Sequence, residues 1–210
     1  MLFDSGCVVC LQARGPVCVV CHGLLQRSEP VPVHGMSACR TGFVLDDRSL
    51  AIIAALKYRR QRRLARWLAR SLIDLVPHSA DAITWVPATP ERRRSRGFDQ
   101  AEEFARSLAR LSGVPAVRLL SRGQDDRRQT GLTREQRLRG PTLTACRRTS
   151  GFVVVVDDVI TTGSSLLVAT AALRDGGAER VVGVVAAATP DATTTVSLGL
   201  TIAATIRKWT

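Results

Sequence analysis

The stretch Phe152-Val153-Val154-Val155-Val156, running directly into Asp157-Asp158 and then Thr161-Thr162-Gly163-Ser164-Ser165-Leu166, constrains the fold more than any other part of the chain. A valine-rich run with no polar alternation must be buried on both faces, as in the central strand of a parallel sheet. A helix is expected from about Ser164 to Arg174, closed by Gly176-Gly177, and Val181–Ala188 reads as a second buried strand. Strand, helix and strand in this order imply a parallel α/β sheet. The chain has 210 residues, of which 45% are hydrophobic. That is enough for one domain with its own core, or one domain and a small appendage, and it excludes a disordered tail.

In an open α/β sheet, ligands bind beyond the carboxyl ends of the strands. At that edge this chain places two adjacent carboxylates, Asp157 and Asp158, followed by a Thr/Gly/Ser loop that enters a helix. Backbone N–H groups and hydroxyls at a helix N-terminus suit a phosphate, and Gly163 lets the backbone approach it. Two carboxylates beside a phosphate need something else to face, such as diol hydroxyls or Mg²⁺. The combination describes a sugar phosphate. No Gly-Lys-Ser/Thr makes the loop a Walker A motif, and no GxGxxG follows the first strand.

Upstream, the elements are less regular. Leu50, Ile53, Leu56, Leu64, Trp67, Leu68 and Leu72 recur at helical spacing over residues 49–76, with Pro77 closing the segment. Its polar side is basic: Lys57, Arg59, Arg60, Arg62, Arg63, Arg66 and Arg70. Such a stripe is either a solvated face or a surface for phosphate. Ala82–Val86 reads as a strand, 99–112 as a helix and Val114–Leu120 as a strand. Residues 121–150 are polar and Arg-rich, a loop too long for a compact domain to keep without a use.

The N-terminal segment is different in kind. Cys7-Val-Val-Cys10 and Cys18-Val-Val-Cys21 form two CxxC pairs seven residues apart. Two such knuckles close a tetrahedral zinc site, and the metal would supply much of this segment's folding free energy. The other readings are a redox dithiol or two local disulfides. His22 or His34 could stand in for one thiolate. Cys39 and Cys146 have no partner spacing.

The formal net charge is +12, which points to anionic partners, although an arginine-rich coding bias produces the same excess. No apolar run reaches the ~20 residues of a membrane span. No basic segment precedes an apolar one at the N-terminus, so a cytoplasmic protein with reduced cysteines is expected.

Val153–Leu166 resembles the phosphoribosyl pyrophosphate (PRPP) signature of type I phosphoribosyltransferases. More broadly, residues 7–189 resemble the ComF family, which joins a cysteine-rich zinc module to such a domain. The paired CxxC motifs, Leu56-Lys57-Tyr58-Arg59, the run from Val86-Pro87 through Arg92 to Arg94-Ser95-Arg96-Gly97-Phe98-Asp99-Gln100, and the spacing Arg122, Gln129, Leu132, Arg137 are similar to family motifs. Asp99 stands where the family has Asn, and Gly140 where the long loop usually ends in Asn.

The resemblance implies a type I phosphoribosyltransferase-like parallel sheet flanked by helices, with a small N-terminal zinc-binding module. It divides the chain into a zinc module over 1–40, a basic helical segment over 41–78, and a phosphoribosyltransferase-like domain over 79–190 with a flexible loop at 121–150. Residues 191–210 form an unassigned tail. It also implies that Asp157 and Asp158 hold the ribose hydroxyls of PRPP or ribose 5-phosphate. Thr161, Thr162, Gly163, Ser164 and Ser165 would take the 5′-phosphate, and Arg92, Arg94 and Arg96 a Mg²⁺-bound pyrophosphate. Gln129 and Arg137 would belong to a loop closing over the site, and Cys7, Cys10, Cys18 and Cys21 would bind structural zinc. The expected activity is PRPP binding, with or without phosphoribosyl transfer to an acceptor in nucleoside metabolism. The alternative is a competence protein for DNA uptake, holding single-stranded DNA or a DNA-uptake partner on Arg59, Arg60, Arg62 and Arg63. Aromatic residues are only 4% of the chain, thin for base stacking.

Overall fold

A computed structural model describes residues 6–58, 62–122 and 142–190. Its centre is a four-stranded, all-parallel sheet of order β1-β6-β5-β2, made of β1 (Ala38–Val44), β2 (Ala82–Trp85), β5 (Phe152–Ile160) and β6 (Arg180–Ala188). A separate two-stranded antiparallel ribbon pairs β3 (Leu120–Arg122) with β4 (Leu143–Ala145). The helices are α1 (Val19–Gly23), α2 (Asp47–Tyr58), α3 (Arg63–Ser71), α4 (Pro90–Arg96), α5 (Gln100–Ser112) and α6 (Ser164–Asp175), with a 3-10 turn at Ile73–Leu75. None of the described helices is long and apolar enough to cross a membrane.

The pleat of β5 divides the core in two. Val154 and Val156 face α2, α3 and α5, where Ile52, Leu56, Leu64, Leu68, Phe104 and Leu108 are buried. Val153 and Val155 face α6 and the β3–β4 ribbon, against Leu166, Leu173, Leu120 and Leu143. Valines 153 to 156 are all fully buried, as a continuous apolar run requires. The sheet is therefore covered by helices on both faces, the architecture expected from the sequence.

Several boundaries differ from the periodicity, each for a local reason. β5 extends past Val156 to Ile160, so both acidic residues lie within the strand. Periodicity does not announce β1, whose sequence mixes Arg40, Thr41 and Gly42 among apolar residues; it is an edge strand held by its pairing to β6. The helical pattern over 49–76 is realised as α2, α3 and the 3-10 turn. Of the strand expected at Val114–Leu120, the sheet takes a single bridge between Ile83 and Ala116. Pro115 has no N–H to extend the ladder, and the chain then leaves to form β3. The ends of the segment read as a loop over 121–150 are the paired strands β3 and β4; residues 123–141, with Gln129 and Arg137, lie outside the described residues.

One glycine marks a close approach. A Cβ on Gly42 would lie 2.6 Å from Leu72 Cδ1 and 2.7 Å from the Ala186 carbonyl oxygen. The carbonyl belongs to β6 and cannot rotate away. Gly42→Ala is expected to cost about 1–3 kcal/mol of stability through overpacking, read as a lowered midpoint in urea with an unchanged m-value; an unchanged midpoint would count against it.

Candidate functional site

β2 ends at Trp85, which pairs with Val156, so β5 runs on past its neighbour at Asp157. The chain leaves β2 toward α4 and α5 on one face of the sheet and leaves β5 toward α6 on the other. The strands part here, and a crevice at such a switch point is where open α/β sheets hold ligands. A cleft of about 120 Å³ occupies it, bringing together Asp157, Asp158 and Ser165 with Lys57, Arg92, Arg96 and Arg122.

The acid pair is partly compensated. Lys57 Nζ, at the end of α2, donates to Asp158 Oδ2 at 2.9 Å, both side chains being mostly buried at 21% and 17% exposure. Asp157 Oδ1 accepts the Asp158 N–H at 2.8 Å. Burial, then the neighbouring Asp158 charge, push the Asp157 carboxyl up to about 8, against a smaller pull from Lys57. Asp157 thus holds its proton well above the ordinary carboxylate range, and the pair carries fewer charges than its composition suggests.

The 161–165 loop enters α6 through a left-handed glycine. Gly163 sits at φ +72° and provides no side-chain cap to α6. Thr162 Oγ1 and Ser164 Oγ are 3.1 Å apart, and Ser165 reaches the cleft wall. The N-terminus of a three-turn helix thereby opens toward the acids with hydroxyls around it.

The opposite wall is built by α4 and the start of α5. Thr89 accepts the Arg92 N–H and Pro90 occupies the first turn, so the segment carrying Arg92, Arg94 and Arg96 forms a short helix. It ends at Gly97, whose φ of +78° turns the chain back into α5. Asp99 caps α5, accepting from Ala101 and Glu102 while its other oxygen takes the Ala88 N–H at 2.7 Å. Three donors meet one side chain, which suits an acceptor-only carboxylate better than the amide of Asn. Burial raises the Asp99 pKa despite these bonds. Arg92 and Arg96 line the cleft, whereas Arg94 is 72% exposed at its side chain and pairs with Glu91 at 3.4 Å.

The four N-terminal cysteines form a second site. The sulfurs of Cys7, Cys10, Cys18 and Cys21 all lie within 4.8 Å of one another, with Cys10 and Cys18 3.9 Å apart. A tetrahedron of Zn–S bonds near 2.3 Å has edges of about 3.8 Å, so the cluster is close to the size zinc needs and would contract slightly around it. All four cysteines are free thiols. Against the effect of burial, backbone N–H groups of Cys10, Cys18 and Val9 bring the Cys7 thiol down to about 6. His22 lies outside the cluster, edge-on to Trp67 at 5.2 Å, and Trp67 stacks with Phe43. Cys39, unpaired in the sequence pattern, is buried in the sheet against Gly183.

On the basic helical face, Arg62 pairs with Glu103 at 3.7 Å and lies over the Phe98 ring. Arg63 is the first residue of α3 and half-buried. Arg59 and Arg60 lie outside the described residues.

No protein-family model and no curated protein matches the chain. Solved structures do. Glutamine PRPP amidotransferase from B. subtilis, complexed with ADP and GMP, is similar at 26% identity over 57% of this chain and 25% of its own, with a TM-score of 0.41. An allosteric regulatory enzyme of purine biosynthesis matches at 24% identity over 58% of this chain and 25% of its own, TM-score 0.41. Orotate phosphoribosyltransferase from Aeropyrum pernix matches at 18% identity over 86% and 83% of the two chains, TM-score 0.42. The chain spans a quarter of the length of the first two.

Lys57 and Arg122 enter the cleft from elements that the sequence places elsewhere. Lys57 belongs to the pattern of a basic helix face, and Arg122 to the start of a long loop. One signal was available for Lys57: it is one of two lysines in a chain whose other basic side chains are arginines. Arg122 Nε donates to the Pro87 carbonyl at 2.6 Å, tying β3 to the loop after β2.

Proposed function

We propose that the cleft binds PRPP or ribose 5-phosphate and that the chain is a ComF-type, phosphoribosyltransferase-like protein. The observation that carries this reading is a single cleft lined by Asp157 and Asp158, by Arg92 and Arg96, and by Ser165 in the first turn of α6. Carboxylates accept hydrogen bonds from vicinal ribose hydroxyls. The 161–165 loop takes the 5′-phosphate through backbone N–H groups and hydroxyls. Arg92 and Arg96 face the pyrophosphate, where guanidinium forks match a polyanionic leaving group. Arg94, turned to Glu91, is left outside this role.

Transfer, in this reading, forms a bond from an acceptor nucleophile to the anomeric carbon as the bond to pyrophosphate breaks. The arginine wall stabilises the charge leaving on pyrophosphate, and Asp157 and Asp158 hold the ribose still. Mg²⁺, bound with pyrophosphate, would add charge neutralisation. Zinc in the four-cysteine cluster is structural here, because all four of its positions are filled by thiolates. The DNA reading, on Arg59, Arg60, Arg62 and Arg63, finds no comparable arrangement among the described residues, where Arg62 is engaged by Glu103 and Phe98.

Calorimetric titration of the zinc-loaded chain with PRPP and Mg²⁺ tests this. Wild type is expected to bind in the micromolar range, and the Asp157→Asn/Asp158→Asn double variant about 100-fold more weakly, near 2.8 kcal/mol. A folded, metal-loaded wild type that binds neither PRPP nor ribose 5-phosphate would refute the reading.

A further inference from the structure

Gln100 opens α5 at the wall of the cleft and is 2% exposed. Its amide oxygen is committed: Arg96 Nη1 donates to Oε1 at 2.6 Å. That bond fixes which way the carboxamide faces. The amide nitrogen, Nε2, is buried and has no hydrogen-bond partner among the described residues. Native proteins seldom leave a buried donor unanswered, because desolvating it without a partner is costly. An orphaned donor on the wall of a polar cleft marks a position where a ligand supplies the acceptor.

We propose that Gln100 is a ligand-reading residue whose amide nitrogen donates to a phosphate-type oxygen at the Arg92–Arg96 end of the cleft. This rests on the PRPP reading and narrows it to the pyrophosphate moiety. The placement favours that end over the sugar. The guanidinium orienting the carboxamide is itself the charge an oxyanion needs, and the carboxylates suited to ribose hydroxyls lie on the other wall. Arg96 supplies the charge; Gln100 adds a neutral donor held in place by the Arg96 bond. The pair would then distinguish a ligand bearing pyrophosphate from one ending in a hydroxyl.

Gln100→Met keeps the side chain's length and removes the donor, and Gln100→Glu replaces the donor with an acceptor. Each zinc-loaded full-length variant is titrated with Mg²⁺-pyrophosphate and separately with ribose 5-phosphate, and melted without ligand. The expected result is that Gln100→Met weakens pyrophosphate about tenfold, leaves ribose 5-phosphate within about twofold, and melts within about 3 °C of wild type. Gln100→Glu should weaken pyrophosphate further. If wild type binds both ligands and Gln100→Met binds pyrophosphate unchanged, or loses both ligands equally, the role of Gln100 falls and the PRPP reading stands. If wild type binds neither, both fall. A melting point lower by 10 °C or more in both variants would make Gln100 structural and overturn the proposal.

Discussion

Removing zinc, or replacing Cys10 with serine, is expected to lower the melting temperature of the whole chain by roughly 10 °C and to expose residues 6–27 to proteolysis. The module's size sets this dependence. So short a segment, with one five-residue helix, has too little apolar surface to hold itself, so its order depends on the metal. The effect spreads because the module is not a separate bead. Cys7, Val8, Val17 and Cys21 belong to the same buried cluster as Phe43, Leu64 and Leu68. His22 packs on Trp67, and Arg27 lies over Phe43 while donating to the Ser71 carbonyl. Losing the burial of two valines alone amounts to about 3–6 kcal/mol, and in a chain of this size each kilocalorie moves the midpoint by about 2–4 °C. Colorimetric zinc release should return one equivalent per chain, with a chelated sample melting early. A chain without zinc that melts with wild type would reject the structural-zinc assignment.

Neutralising Asp157 is expected to stabilise the protein while abolishing the binding proposed for it. The folded carboxyl titrates near 8 and the unfolded one near the ordinary Asp value, about 3.9. Between those values the folded chain keeps a proton that the unfolded chain gives up, so the native state binds more protons. Stability from this group is therefore fully present below about pH 4 and is lost as pH rises through 8. Asn carries no charge and has no such slope. Asp157→Asn should match wild type closely at low pH and exceed it at pH 8.5 by on the order of 2–4 kcal/mol, or roughly 5–15 °C. Melting both proteins from pH 5 to 8.5 checks this; parallel curves would show that Asp157 titrates as an ordinary surface acid. A destabilised carboxylate retained at the lip of a cleft is what a binding site looks like when stability has been traded for function.

The parts legible in the sequence are those whose pattern is self-contained. The valine run of β5, the glycine and hydroxyl loop, α6 with its Gly-Gly end and β6 form one contiguous unit, and each residue there meets neighbours close in sequence. The four cysteines were legible for the same reason. β1 was not, because Arg40, Thr41 and Gly42 are strand residues only by virtue of β6 beside them. α4 is hard to see in the sequence because its run of arginines masks a Thr-Pro start. At the cleft, Asp157, Asp158, Ser165, Arg92 and Arg96 meet as their chemistry suggested. Lys57 and Gln100 depend on tertiary placement: one lies at the end of α2, far from β5 in sequence, and the other is recognisable only by its empty amide nitrogen.

The strand order also bears on how the cleft comes into being. β5, α6 and β6 are neighbours along the chain, so their pairing closes a short loop. β2 must find β5 across the whole interval from Ala82 to its partner Val153, and entropy makes such distant contacts the slower ones. The acids and hydroxyl loop are therefore expected to be in place before the arginine wall arrives. β1 meets β6 across a still longer interval, from Ala38 to Val182. Competence to hold a polyanion is expected to follow the β5–β6 unit and to arrive when Trp85 settles beside Val156.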